Sequence, residues 1–215
     1  VFGASRCRWT RWPRMPESIR YHPAVATPIR KRMKRREIPA GVRFVTFSCQ
    51  RRLPLMGHEA IRDLFGEMIA RVRATHRLEL FAWVAMPEHA HLLIRPERGT
   101  TLAPALLTLK LAVARRVIDR WRDLRAPILA RITVAEGRAR FWQKGGGFDR
   151  NVRDAEEFSK TVRYIHQNPV GRGLVQSAKQ WKASSVRWWG GAREGEIECD
   201  PPPGGRGWEG WTGFV

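Results

Sequence analysis

Phe81-Ala-Trp-Val-Ala-Met-Pro-Glu-His-Ala-His-Leu-Leu-Ile-Arg95 reads as two short strands broken at Met86-Pro87-Glu88. Side chains alternate along a strand with a period of two, so residues 89, 91 and 93 share one face and 90, 92 and 94 the other. His89 and His91 therefore stand side by side on rigid backbone, while Ala90, Leu92 and Ile94 face away. Two neutral imidazoles on one face can hold a divalent metal. Taken alone, the pair fits a solvated sheet face equally well, because His-x-His recurs often by chance.

Working outward, Val42-Arg-Phe-Val-Thr-Phe-Ser-Cys49 alternates and is rich in β-formers, so it is a first strand. Residues 58–76 carry Ile61, Leu64, Phe65, Met68, Ile69 and Val72 at helical spacing, a full amphipathic stripe. Leu78–Ala85 and His89–Arg95 are the second and third strands. Strand, helix, strand, tight break, strand is the first half of a ferredoxin-like unit. The pattern predicts an α+β fold, a ferredoxin-like antiparallel sheet with helices packed on one face.

Downstream, Thr101–Arg125 is a second long helix, with Leu102, Leu106, Leu109, Val113, Val117 and Trp121 toward the sheet. Lys110, Arg115 and Arg116 lie elsewhere on it, as a solvated basic face or as phosphate contacts. Residues 126–137 read as an irregular connection, Arg138–Gln143 as a further strand, and Gly145-Gly-Gly147 as a hinge. Asp154 is an N-cap with Glu157 as its capping-box partner, and the helix it opens stops at Pro169. Phe158, Val162 and Ile165 form that helix's core stripe. Tyr164 lies on its flank, with Asn168 one turn later on the same side. His166 reads as a surface residue.

The chain holds 40 Lys+Arg against 20 Asp+Glu, a net charge of +20 and a pI near 11.5. That charge is costly to fold without a polyanion, and nucleic acid is the matching partner. No apolar run approaches a membrane span and no signal-peptide core stands near the N-terminus. Cys7, Cys49 and Cys199 are too far apart for a zinc ribbon or a disulfide framework, which fits a reducing, cytoplasmic setting. Residues 1–37 are a basic, Pro-interrupted arm expected to be disordered, 38–190 the domain, and 191–215 a disordered tail with Trp208 and Trp211 in no assigned role.

A second motif follows the histidines: Tyr164-Ile-His-Gln-Asn-Pro-Val170, Gly173-Leu-Val175 and Trp181-Lys-Ala-Ser-Ser185. Together with Met86-Pro-Glu-His-Ala-His-Leu-Leu93 it resembles the single-tyrosine HUH transposases, most of all the REP-associated tyrosine transposases, over roughly residues 40 to 190. The resemblance implies the HUH nuclease fold and cleavage of single-stranded DNA beside a hairpin foot, with the ends passed through a 5′-phosphotyrosine. It also implies a polar residue on the tyrosine helix that completes the metal site. One segment departs: Gly147-Phe-Asp-Arg150 stands where members usually carry an aromatic pair and a histidine.

The residues give this chemistry a physical basis. Cutting a phosphodiester needs a nucleophile, charge stabilisation on the phosphate and a grip on the strand. A tyrosine hydroxyl conserves the bond as a phosphate ester for later rejoining. Of the two tyrosines, Tyr21 lies in the arm, which leaves Tyr164. His89 and His91 supply two metal ligands, and Asn168 can add an amide oxygen suited to magnesium or manganese, with His166 and Gln167 as alternates. Asn168 before Pro169 also reads as a simple turn former. Arg51, Arg52, Lys110, Arg115, Arg116, Arg187 and Trp188 are the candidate nucleic-acid contacts, with either Trp188 or Trp189 sealing the core instead of stacking on bases. The expected activity is a metal-dependent single-strand nickase and strand-transferase, as monomer or homodimer. The rivals are an inactive hairpin-binding protein and a ribonuclease that uses the same histidines.

Overall fold

The computed structural model describes residues 40–145, 147–193 and 195–203. The expectations for the arm 1–37, for Tyr21 and for Trp208 and Trp211 lie outside those residues. Four strands form one antiparallel sheet in the order β2-β3-β1-β4: β1 Arg43–Ser48, β2 Glu79–Ala85, β3 His89–Arg95 and β4 Phe148–Asn151. Helix α1, Glu59–His76, crosses from β1 to β2, and α2, Leu102–Asp123, from β3 toward β4. Two interleaved crossovers with β1 and β3 inside are the ferredoxin-like arrangement expected from the spacing.

Alternation along the strands sorts the two faces. Val45, Phe47, Leu80, Leu92 and Ile94 meet the stripes of α1 and α2, including Ile69, Val72 and Leu109, all buried. Phe44, Val84 and Leu93 point the other way, against Phe158, Val162 and Ile165 of α4, Ala155–Gly171. Helices α1 and α2 thus share one face as expected, and α4 takes the opposite one. That second layer is what brings a helix to the histidine face.

Several local expectations shift. Arg138–Gln143 is not a strand; it makes single bridges, Thr133 to Ala139 and Cys49 to Trp142, and β4 follows it instead. The connection before it holds a short helix α3, Ile128–Ile132. Gly147 works as a close approach more than as a hinge: it sits at φ 72°, and a Cβ there would lie 2.0 Å from the Thr46 carbonyl oxygen. Asp154 does cap α4, accepting from the Glu157 amide at 2.7 Å, but Glu157 reaches back to the Arg153 amide, not to that of Asp154. The helix also passes Pro169 and ends at Gly171. A proline this close to the C-terminus removes one amide donor, while the last carbonyls still find partners in the Arg172 and Leu174 amides.

Residues 195–203, assigned to the tail, pack against the sheet edge. Cys199 is buried, and Asp200 exchanges backbone and side-chain bonds with Leu80 at 2.7 Å while pairing with Arg73 at 2.7 Å. Upstream, Ser185 and Ala183 bond to Trp83 and Ala85, so the outer edge of β2 is covered rather than left to pair with another chain. Asp200→Ala should lower stability by about 1–3 kcal/mol, because it strands the Leu80 amide and the Arg73 guanidinium. Urea denaturation measures this, and an unchanged midpoint would show that the segment adds nothing to the fold.

Candidate functional site

The register of β1 with β3 builds the site. Thr46 pairs with His91, Ser48 with His89 and Phe44 with Leu93. Residues that pair directly share a face, so all six look toward the α4 side of the sheet. His89 Nε2 and His91 Nε2 stand 3.0 Å apart there. Each ring is held by its other nitrogen: His89 Nδ1 lies 3.1 Å from Glu88 Oε1, and His91 Nδ1 lies 2.7 Å from Thr46 Oγ1.

Glu88 is buried and also pairs with Arg172 at 3.0 Å. Burial pushes its carboxyl up, but the His89 hydrogen bond and charge, with the Arg172 charge, outweigh that and hold it below the usual range. An ionised carboxylate only accepts, so His89 donates through Nδ1 and turns Nε2 into the site. Burial first, then the neighbouring His89, brings His91 down to about 3, so it is neutral at pH 7.

Asn168 places Nδ2 3.2 Å from His91 Nε2, and turning the amide over puts its oxygen there instead. Two ring nitrogens this close need a proton or a cation between them. Ligands at right angles and ~2.1 Å from a divalent ion stand about 3.0 Å apart. The spacing of these donors therefore suits such an ion, although among the described residues no three His, Cys, Asp or Glu side chains converge. Tyr164 is half-exposed beside them, with its ring 5.3 Å from that of His91 and edge-on to Phe44 at 5.9 Å.

Tyr164, His89, His91 and Asn168 are thus brought together by one strand, β3, and one helix, α4. Thr46, Glu88, Arg172 and Phe44 join them and were not singled out in the sequence. Glu88 carried a signal, lying next to His89; Thr46 is found only through the strand register. The expected nucleic-acid contacts scatter. Arg51 and Arg52 follow β1 at its His89 end, at φ 54° and 53°, strained values for side chains other than glycine. Lys110 lies over the Phe47 ring and Arg116 beside Met68, on the α1–α2 side, and Arg115 shares their helix. They sit behind the sheet because α2 packs on the face opposite the histidines. Arg187 pairs with Glu196 at 2.6 Å. Trp189 seals the core, donating to the Phe81 carbonyl at 2.8 Å, while Trp188 is half-buried under Arg193.

His166 is a correction. It is buried, not on the surface, and its Nε2 lies 2.9 Å from Ser185 Oγ. It points away from the site because it is two residues, or ~200° of helix, from Tyr164. Gln167 is exposed. Burial lowers His166 from 6.5 to about 3, so the unfolded chain takes up this proton before the native one. Its contribution is intact above pH 6.5 and is lost as the pH falls toward 3. From pH 6.5 to 5 that amounts to about 2 kcal/mol. Urea titrations at pH 7 and 5 should show a smaller loss in His166→Gln than in the wild type; equal losses would mean that His166 is not buried and neutral.

The comparisons with known proteins bear on the family and the fold. A family profile described as "Transposase IS200 like" matches residues 41–168. A REP-associated tyrosine transposase of Escherichia coli strain K12 is 25% identical over 124 residues, covering 57% of this chain and 63% of that one. This chain therefore spans under two thirds of that relative's length. A solved structure described as a REP-associated tyrosine transposase bound to a REP hairpin superposes with a TM-score of 0.60 at 20% identity, over 80% of this chain and 92% of the other, and shows the shared fold.

Proposed function

We propose, for a chain that belongs to the IS200-like transposase family, that it nicks single-stranded DNA beside a hairpin and transfers the strand through Tyr164. The observation that carries this is the meeting of the Tyr164 ring, 5.3 Å from His91, with the paired ring nitrogens of His89 and His91.

In this reading the Tyr164 hydroxyl attacks the scissile phosphorus and loses its proton to water, which its half-exposed position admits. The phosphotyrosine O–P bond forms as the P–O3′ bond breaks. The 5′ end stays on the protein, and the departing 3′ oxygen takes up a proton. Attack by a 3′-hydroxyl then reverses the step and joins the strands. His89, His91 and Asn168 would hold a divalent ion, and two imidazoles with one amide oxygen suit manganese at least as well as magnesium. When bound, that ion supplies charge stabilisation on the non-bridging oxygens. Glu88 and Thr46 keep the two rings aimed, and the rigid strand pair lets them do so without reorganisation at the moment of reaction. The basic surface supplies a salt-dependent grip on the phosphates.

The test is a covalent-adduct assay with labelled single-stranded hairpin DNA from the gene's own flanks, in manganese or magnesium, resolved on a denaturing gel. An adduct should form with wild type, vanish with EDTA, and fall at least ~100-fold in both Tyr164→Phe and His91→Ala. Hairpin binding without adduct in either metal would instead assign a binding protein, the reading that the departure at residues 147–150 favours. Cleavage that survives Tyr164→Phe would assign water as the nucleophile.

A further inference from the structure

Phe148 opens the edge strand β4 and is 50% exposed, on the same sheet face as the histidines. A single half-exposed apolar ring is ordinary on a protein surface and decides nothing by itself. Three further observations do. First, its position is fixed from beneath. It pairs with Thr46, whose hydroxyl holds His91, and Gly147 lets the backbone press against the Thr46 carbonyl, where a Cβ would lie 2.0 Å away. Second, its ring is continuous with the site. It stands edge-on to Phe44 at 6.0 Å, and Phe44 stacks on His91 at 5.4 Å and meets Tyr164 at 5.9 Å. Third, the strand that carries it is basic. Arg150, on the same face, lies over Phe44 while ion-paired to Glu157, which also pairs with Arg153, and Lys144 and Arg153 are exposed in the chain on either side of the strand.

A half-exposed ring on a rigid, basic strand is the arrangement that holds an unpaired base by its π-face and the neighbouring phosphates by charge. We propose that Phe148 is the stacking platform for one unpaired base of the substrate strand, within a few nucleotides of the bond that Tyr164 attacks. Ring contacts of 6.0 and 5.9 Å, both to Phe44, bound the distance from Phe148 to Tyr164, which is at most the length of about three nucleotides of stacked strand at ~3.4 Å each. Because any base offers a π-face, the platform sets where the strand is cut more than which sequence is chosen, with purines held more firmly than pyrimidines. This assignment rests on the reading of the site as a single-strand DNA transferase.

The experiment measures binding, so it does not depend on cleavage or on metal. Fluorescence anisotropy is read for hairpin oligonucleotides whose single-stranded extension carries one abasic site at successive positions, with wild type, Phe148→Ala and Phe148→Trp. An abasic site at one position, or two adjacent ones, should weaken wild-type binding by roughly 5- to 100-fold, the range of one base on one aromatic ring. Phe148→Ala should bind the intact oligonucleotide about that much more weakly and become indifferent to that same abasic position, while Phe148→Trp regains the sensitivity. A merely structural role would lower binding equally for every oligonucleotide, and such multiplying losses overturn the assignment, as does Phe148→Ala binding the intact strand like wild type. If Phe148→Ala does not fold, Phe148→Leu replaces it, keeping the apolar contact with Phe44 but not the π-face. Wild type that binds the extension no better than duplex DNA overturns both this assignment and the function on which it rests.

Discussion

Everything at the site depends on the pairing of Thr46 with His91 across β1 and β3. Strand side chains alternate with a period of two, so a slip of one residue would send His89 and His91 into the α1–α2 core and turn Ala90, Leu92 and Ile94 toward the α4 side. The apolar set on the far face, Val45 and Phe47 with Leu92 and Ile94, makes that slip prohibitive. The core on one side of the sheet therefore holds the chemistry in place on the other. Gly147 extends the same logic to β4, because only a residue without a side chain lets that strand reach Thr46.

The histidine face combines two kinds of order. One is polar: Arg172 to Glu88 to His89 and Thr46 to His91 give each ring one satisfied nitrogen and one directed into the site. The other is aromatic, with Phe44 at its centre touching His91, Tyr164 and Phe148. Polar partners orient the rings and apolar ones position the helix that carries the tyrosine. Helix α4 serves both sides at once, seating Phe158, Val162 and Ile165 in the core while Tyr164 and Asn168 emerge on its flank. His166 and Ser185 then tie its far side to the covered edge of β2.

The net charge of +20 acts mainly as a field. The arginines of α2 stand behind the sheet and those near the site are partly committed, Arg172 to Glu88 and Arg150 to Glu157. On the proposed function, such a field would attract the phosphate chain and leave alignment to the rings and strands of the site.

By itself, the sequence determined the α+β sheet, its first three strands, both long helices and, of the residues that meet at the site, His89, His91, Tyr164 and Asn168 but not Thr46, Glu88, Arg172 or Phe44. Those patterns are local: a period of two in strands, a stripe at 3.6 in helices, a cap at Asp154. The Tyr164-to-Asn168 spacing is likewise a property of one helix. Strand β4 was missed because four residues after a glycine run carry too little periodicity to register. His166 looked like a surface residue because its partner, Ser185, is 19 positions away and meets it only after α4 docks. Residues 195–203 looked like a tail because their polarity hides the bonds that Asp200 makes to Leu80 and Arg73. That α4 lies opposite α1 and α2, that Thr46 aims His91 and that the α2 arginines stand behind the sheet were decided only by the tertiary structure. Each depends on which distant segments share a face, and that is set by packing across the sheet, not by the order of neighbours along the chain.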